Sequence, residues 1–387
     1  MPPLRPLTSI RFIFALLVVL FHGLTIPSER MEGWPHFLTS IINHGSIGVS
    51  FFFVLSGFIL AYSYRGRIRQ PEDYRAFWLA RAARVLPAYY LAFLIYLPLA
   101  LAPIFASLQV SDAVQRGLMI GGLQLTLLQA WVPEAAVTWN GPSWSLSVEA
   151  VFYLLFPFMM PWLEKLSLRN VSILAVLAYA ASQGVAVAVD LVGSDNIASA
   201  ITRAMGLREI TPTAGPLFFT YFPPLRVPEF VFGAALGMVF LKVPPMPASW
   251  RVPAIGLGLL GVYATFTWLD GPVPWTAISN GFLAPFLSLI LFALAYSESQ
   301  IWNHLFFVRL GDASYSLYLI HVPVMLWMEK IDAAWLNWQM THLEIFLPAY
   351  LVVVIGSSLL SLTYVEEPLR GMIRRRFAAA PSRPALA

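Results

Sequence analysis

An arginine and a histidine stand eleven residues apart in the apolar stretch SIRFIFALLVVLFHG, which runs from Ser9 to Gly23. Eleven residues on an α-helix correspond to about 1,100°, roughly 20° past three full turns, so Arg11 and His22 share one face about 16 Å apart. A neutral imidazole inside a membrane is suited to general-base catalysis. Arg11 has a structural alternative, in which its guanidinium reaches the membrane surface along its aliphatic stem.

A carboxylate lies in a second apolar run, GPSWSLSVEAVFYLLFPF, where Glu149 is four residues from both Ser145 and Tyr153. This spacing puts the three side chains on one helical face. A carboxylate in hydrocarbon is costly unless it is paired. We predict that Glu149 pairs with His22, directly or through a water, and orients the imidazole as an acyl-transfer base requires. The alternative is a structural polar network.

Two arginines one helical turn apart, Arg81 and Arg84, occur in RAFWLARAARVLPAYY. Two guanidinium groups in this arrangement form a fork suited to phosphate. Taken alone the pattern is weak, because cytoplasmic loops of membrane proteins are rich in arginine anyway. Ordinary loop charge is therefore the alternative.

Three further polar residues lie in apolar segments. Arg226 and Glu229 are three residues apart in LRVPEFVFGAALG, where they either pair with each other or line an acceptor site. His321 lies within GDASYSLYLIHVPVMLW. A hydrogen bond to a neighbouring helix is the simpler role for this histidine, and substrate binding is the alternative.

The composition requires these residues to be positioned by membrane-spanning helices. The chain of 387 residues is 58% hydrophobic and 11% charged, with a net charge of +4. Apolar runs of about 20 residues recur throughout, each long enough to cross the hydrocarbon core. The basic residues lie between these runs, so the charge does not indicate a nucleic-acid partner. With no cysteine, disulfides, thiolate metal sites and a cysteine acyl-enzyme are excluded, and we expect no metal.

The distribution of arginine predicts the topology. Six arginines between positions 65 and 84, and four between 370 and 376, place both termini in the cytoplasm, which demands an even number of spans. The run 117–132 would be an eleventh span, so we predict that it is re-entrant or interfacial. The fold is therefore an all-α polytopic membrane protein of about ten transmembrane helices, near residues 7–26, 46–64, 86–107, 143–163, 171–192, 222–241, 252–269, 276–296, 311–328 and 344–364.

Seven motifs in the same order as in a known family extend over nearly the whole chain. Besides the Arg11–His22 spacing they are GVSFFFVLSGFIL, ARAARVLPAYY, WNGPSWSLSVEAVFY, LRVPEFVFGAALG, LGDASYSLYLIHVPV and YVEEPLR. The chain resembles the acyltransferase family 3 membrane proteins, bacterial acyl-CoA-dependent O-acyltransferases. The resemblance implies one transmembrane domain over residues 1–370, followed by a basic cytoplasmic tail, 371–387, with a disordered end.

The resemblance also implies roles for particular residues. His22 and Arg11 correspond to the essential histidine and arginine of the first span, and Glu149 is the expected acidic partner. Arg81 and Arg84 correspond to the pair associated with the cytoplasmic acyl-CoA side, the usual co-substrate being acetyl-CoA. Many relatives carry an appended esterase-like domain, and its absence here predicts direct transfer by the membrane domain. The candidate substrate-binding residues are Asn140, Trp144, Arg226, Glu229 and His321.

The predicted function is transfer of an acyl group, most often acetyl, from acyl-CoA to a hydroxyl of a surface or exported glycan. The predicted location is the bacterial inner membrane, and the partners are the lipid bilayer, the donor and the acceptor. Direct attack and an acyl-histidine relay both remain open. So do two other functions, acylation of a small secondary metabolite such as a macrolide, and transport of acyl groups or lipid-linked glycans without bond formation.

Overall fold

The structure is a computed structural model of the protein. It describes residues 2–24, 31, 33–107, 109–132, 135–197, 199, 215–268, 273–338 and 342–377. Within these ranges the regular elements are helices, and no β-strand is formed. The predicted all-α fold is confirmed. The disordered end predicted for the tail lies outside the described residues from position 378 onward.

The described part of the chain contains fourteen helices of seven residues or more. In chain order they are α1 (Arg5–Leu24), α2 (His36–Asn43), α3 (Gly48–Tyr64), α4 (Pro71–Ser107), α5 (Val110–Leu125), α6 (Trp144–Lys165), α7 (Leu168–Val192), α8 (Gly215–Tyr221), α9 (Pro223–Lys242), α10 (Ala248–Trp268), α11 (Ala284–Ala295), α12 (Leu305–Trp335), α13 (Leu343–Ser361) and α14 (Glu367–Phe377).

The helices match eight of the ten predicted membrane spans. Eight helical segments in the described ranges are long and apolar enough to cross a membrane. The other two predicted spans, 252–269 and 311–328, fall on α10 and α12, which are 21 and 31 residues long but are not among those eight segments. The protein is therefore a multi-pass, all-helical membrane protein.

The segment predicted to be re-entrant or interfacial is interrupted. Helix α5 has 16 residues and is not among the helices that could span a membrane. It ends at Leu125, and Leu127 then adopts a positive φ of 59° before a 3₁₀ turn over Gln129–Trp131. Gln124 and Gln129 are buried against protein, where Ser143 bonds to both. Backbone of this irregular kind is tolerated at membrane depth when it packs on protein.

Two helix pairs form the centre of the bundle. Helix α1 packs along α12, and α3 packs along α9. A third long helix, α4, runs unbroken for 37 residues, although Pro87, Pro98 and Pro103 lie inside it. The predicted span 86–107 is thus the second part of a helix that already carries Arg81 and Arg84. The terminal helix α14 packs against α4 and includes the first residues of the predicted tail.

Candidate active site

The first of two neighbouring cavities is rich in cations. It has a volume of about 150 Å³ and lies among α1, α3, α4, α6 and α12. Three guanidinium groups and one carboxylate line it, together with hydroxyl groups and apolar side chains. The ionisable residues are Arg11, Arg81, Arg84 and Glu149.

Arg81 is held by aromatic side chains. Its guanidinium carbon lies 5.6 Å from the ring centroid of Tyr64, 5.8 Å from that of Phe77 and 6.0 Å from that of Tyr153. One terminal nitrogen donates to the Tyr64 hydroxyl at 3.3 Å. Its Nε is buried and has no hydrogen-bond partner among the described residues. Because a buried N–H without a partner is costly, this group is suited to a bound anion.

Arg84 is linked to the terminal motif of the chain. Its Nη1 lies 3.5 Å from a carboxylate oxygen of Glu366, which is 1% exposed. Glu366 also lies 3.4 Å from Arg370 and accepts a hydrogen bond of 2.6 Å from Ser316. The carboxylate therefore holds Arg84 from behind, while the guanidinium still lines the cavity.

Glu149 faces these arginines and not His22. The Tyr153 hydroxyl donates to its carboxylate, and the Ser56 hydroxyl lies 3.5 Å away. Ser145 and Tyr153 line the same cavity, as the spacing of four residues predicts. The predicted direct pairing of Glu149 with His22 is wrong, since His22 contacts other groups and lines the second cavity. The physical reason is charge, because three guanidinium groups attract a carboxylate more strongly than a neutral imidazole does.

The second cavity contains His22. Its volume is about 380 Å³, and its lining combines aromatic side chains with hydroxyl groups, among them those of Ser46, Thr220 and Ser279. Trp144, Tyr221 and Trp275 line it, with Arg226 as the charged residue. The two cavities adjoin, because Val49 and Tyr318 line both. These two residues therefore form a wall shared by the two cavities.

His22 is hydrogen-bonded on one edge. Its Nδ1 lies 2.9 Å from the Val18 carbonyl oxygen and 3.2 Å from Nε2 of His321. His321 is fully buried on α12, and its Nδ1 lies 2.7 Å from the Tyr318 carbonyl oxygen. His22 itself is half-buried. The arrangement matches the expectation that His321 bonds to a neighbouring helix, and the partner is the candidate base.

Arg226 and Glu229 pair inside the protein. Their side chains are 2.9 Å apart and about 2% exposed. Arg226 also donates to the Ser279 carbonyl at 2.6 Å, to the Asn280 side chain at 2.9 Å and to the Ser50 hydroxyl at 3.1 Å. These contacts offset the cost of burying the guanidinium charge, although its Nε and both carboxylate oxygens of Glu229 have no hydrogen-bond partner among the described residues. Of the two alternatives left open by the sequence, the pairing is confirmed, and Arg226 also lines the second cavity.

The remaining predicted residues divide between the cavity and the protein interior. Trp144 lines the second cavity, and the Arg226 guanidinium lies 5.8 Å from its ring centroid. Asn140 lines neither cavity, because its side-chain amide donates to the Leu319 carbonyl at 2.8 Å. His321 also lines neither cavity and lies behind His22.

Comparison of the sequence with known families gives one decisive match. The profile of Acyl_transf_3, an acyltransferase domain, matches residues 7–364. The chain belongs to this family. Three relatives among curated proteins are an acyltransferase, an O-acetyltransferase and an exopolysaccharide production protein. No solved structure gives a significant match.

The relatives differ in how much of each chain is covered. The acyltransferase MdmB of Streptomyces mycarofaciens is 30% identical over 98% of this chain and 97% of its own length. The O-acetyltransferase OatA of Staphylococcus aureus is 23% identical over 90% of this chain, which spans only 56% of that protein. The exopolysaccharide production protein ExoZ of Rhizobium meliloti is 28% identical over 72% of this chain and 75% of its own length.

Sequence reasoning missed several residues that shape the site of this acyltransferase. Tyr318 forms the wall between the cavities, and Glu366 holds Arg84. Ser50 and Asn280 satisfy Arg226. Glu366 belongs to the motif YVEEPLR, and a carboxylate at the end of an apolar span could have been recognised as a candidate partner for an arginine. A single serine or asparagine in an apolar run gives no comparable signal, because its partner is distant in sequence.

Proposed function

We propose that this acyltransferase transfers an acyl group, in the simplest case acetyl, from acyl-CoA to a hydroxyl of a surface or exported glycan. The observation that carries the proposal is the pair of adjoining cavities, one cationic and one containing His22. A donor with phosphate groups fits the first, and a neutral hydroxylated acceptor fits the second. This fit of donor and acceptor to the two cavities supports a reaction at the wall that Val49 and Tyr318 form between them.

The cationic cavity is the donor site in this proposal. Arg81 and Arg84 bind phosphate oxygens of the co-substrate, since planar guanidinium groups match phosphate geometry. The buried Nε of Arg81 supports this role because it still needs an acceptor. Arg11 lines the same cavity from α1, so the thiol end of the donor extends along α1 toward His22.

The aromatic cavity is the acceptor site. Trp144, Tyr221 and Trp275 offer ring faces and edges with few charges, a lining suited to the apolar faces of a sugar ring. Asn140 and Glu229 support the cavity from behind through their contacts with Leu319 and Arg226. The printed names of two relatives, an O-acetyltransferase and an exopolysaccharide production protein, agree with a hydroxylated glycan as acceptor.

His22 is the catalytic base. Its Nε2 removes the proton from the acceptor hydroxyl, and the oxygen attacks the thioester carbonyl carbon. The carbon–sulfur bond then breaks, and the thiolate of CoA takes the proton back from His22. The products are an ester and free CoA. Glu149 does not take part in this proton transfer, and it balances the charge of the donor arginines.

The arginine distribution supports an orientation in which both termini and the donor site face the cytoplasm, where acyl-CoA is made available. We propose the bacterial inner membrane as the location, with the acceptor site on the opposite side. The domain then extends over residues 1–370, and 371–387 form a basic cytoplasmic tail.

The test uses the full chain in lipid nanodiscs with acetyl-CoA labelled on the acetyl group. Purified envelope glycans and small hydroxylated metabolites serve as acceptors, and the wild type is compared with His22→Ala. The matched control is His36→Ala, because His36 is exposed and lines neither cavity. We expect label in a glycan, a loss of at least ~100-fold in His22→Ala and no loss in the control.

Other outcomes would change the acceptor, the role of His22 or the type of activity proposed. Label in a small metabolite alone would replace the glycan with that acceptor class. Transfer that survives in His22→Ala would remove the catalytic role of His22. CoA thiol released only with an acceptor present would establish transfer, whereas acetyl movement across the membrane without ester formation would support transport.

A further inference from the structure

We infer that His321 is a positioning residue, which together with the Val18 carbonyl holds His22 in the tautomer protonated at Nδ1 and leaves the Nε2 lone pair for the acceptor hydroxyl. The inference rests on the proposed function, in which His22 is the base. It assigns to His321 a role different from substrate binding, since this side chain is fully buried behind His22.

The tautomers follow from two backbone carbonyl groups. A carbonyl oxygen only accepts hydrogen bonds, so the nitrogen facing it must carry the proton. Nδ1 of His321 faces the Tyr318 carbonyl at 2.7 Å and is therefore protonated. In a neutral ring the other nitrogen, Nε2, then has the lone pair and acts as an acceptor.

The same reasoning applies to His22. Its Nδ1 faces the Val18 carbonyl at 2.9 Å, so this nitrogen carries the proton. The Nε2 acceptor of His321 lies 3.2 Å away, and the Nδ1–H of His22 is shared between the two acceptors. The opposite tautomers would place lone pairs against both carbonyl oxygens. All three contacts therefore agree on one protonation pattern.

This pattern has a catalytic consequence. With the proton fixed on Nδ1, the basic nitrogen of His22 is Nε2, on the ring edge away from His321, and the ring lines the acceptor cavity. When Nε2 takes a proton, the positive charge is stabilised by the lone pair of His321. In the Ser-His-Asp triad a buried carboxylate stabilises the protonated histidine in the same way. Here the partner is a neutral imidazole, and Glu149 is engaged elsewhere.

The experiment compares two substitutions of His321 with a control. His321→Gln places an amide oxygen near the position of Nε2, where it can accept from His22. His321→Leu fills similar space and cannot accept. The control is Tyr350→Phe, which removes a hydrogen bond of 3.2 Å to the backbone carbonyl of His321 but leaves both imidazoles in place.

We expect His321→Leu to lower kcat roughly 100-fold, because general-base catalysis contributes about 10² to 10⁴ in rate. The KM values for donor and acceptor should not change. His321→Gln should retain kcat within about tenfold of the wild type, and Tyr350→Phe within about threefold. A purely structural role for His321 predicts instead that the Gln and Leu variants lose activity together with folding.

A spectroscopic measurement tests the inference independently of turnover. Nitrogen-15 solid-state NMR of histidine-labelled protein in bilayers reports which ring nitrogen is protonated, and the His22→Ala spectrum identifies the His22 signals. We expect Nδ1–H in the wild type and in His321→Gln, and a larger Nε2–H fraction in His321→Leu, where the Val18 carbonyl is the one acceptor left for Nδ1–H among the described residues. An Nε2–H tautomer in the wild type would overturn the inference.

The two proposals fail in different ways. Full kcat in folded His321→Leu overturns the positioning role while acyl transfer by the wild type still stands. Absence of acyl transfer by the wild type contradicts the proposed function, and the NMR result then decides the tautomer of His22 by itself.

Discussion

The guanidinium of Arg81, surrounded by three aromatic rings, determines what the donor cavity can bind. Its buried Nε lacks a partner in the described structure, so a phosphate oxygen would satisfy it. Arg81→Gln should raise the KM for acyl-CoA roughly tenfold or more, since hydrogen bonds to charged groups contribute about 1.5–3 kcal/mol. Arg81→Lys should recover only part of this, because an ammonium lacks the planar fork.

The control for the Arg81 variants lies on the same helix. Arg75 is exposed and begins the same basic stretch, so Arg75→Gln removes one charge without changing the cavity. Steady-state kinetics with varied acyl-CoA should show an unchanged KM for this variant. Equal increases in both variants would mean that general surface charge attracts the donor, and the specific role of Arg81 would be rejected.

Glu149 compensates the positive charge of the donor cavity. Glu149→Gln should lower the unfolding temperature by roughly 5 °C, because the cavity then has no carboxylate to offset the charge of its three guanidinium groups. Added coenzyme A should stabilise this variant more than the wild type, since its phosphates replace the lost charge. Exposed Glu298→Gln serves as the control in both scans. A 100-fold drop in kcat with normal stability would instead restore an orienting role toward His22.

At the scale of helices, the contact between α3 and α9 brings the two sides of the site together. Helix α3 carries Ser50 and Ser56, and α9 carries Arg226. The helices approach closely at Gly233, where an added Cβ would lie 2.7 Å from the carbonyl carbon of Val54. Small residues at helix crossings allow this kind of close packing in membranes.

Gly233→Ala should therefore separate α3 from α9. We expect a loss of roughly 2 kcal/mol in stability, because overpacking at a close contact forces the backbone to move. Gly256→Ala on α10 is the matched control, since nothing lies within 4 Å of its added Cβ. Alanine should leave that helix unchanged or stabilise it by about 1 kcal/mol. Thermal unfolding in nanodiscs measures both, and equal effects would contradict the close crossing.

At the scale of the whole molecule, the number of spans decides which side each cavity faces. The chain has no cysteine, so a single introduced cysteine is the only thiol. Thr138→Cys distinguishes the topologies, because Thr138 is exposed and follows the interrupted segment. With ten spans an impermeant maleimide should label it from outside intact cells, whereas with eleven spans labelling requires inverted vesicles.

Two further cysteines calibrate the labelling experiment. Ser111→Cys, which precedes the interrupted segment, should be labelled from outside, and Arg67→Cys in the arginine-rich connection from inside; both residues are exposed. Labelling of Ser111→Cys and Thr138→Cys from opposite sides would show that 117–132 spans the membrane. Labelling of Arg67→Cys from outside would contradict the orientation proposed for the donor site.

Local sequence determined the elements of this protein and the composition of its site. Helical spans follow from runs of about 20 apolar residues, and the shared face of Arg11 and His22 follows from the helical period. The spacing of Ser145, Glu149 and Tyr153 likewise predicted that they would share one helical face, and all three line one cavity. These features depend on neighbours along the chain, so they can be read without knowledge of the packing.

The contacts between polar groups on different helices were set by the tertiary structure. It turned Glu149 toward arginines of α1 and α4, and it set His321 of α12 against His22, 299 residues earlier in the chain. It also divided the interior into two cavities at Tyr318. Such pairings depend on how helices rotate and cross in the bundle. Many pairings would satisfy a buried charge equally well, and packing of the surrounding apolar surfaces selects among them.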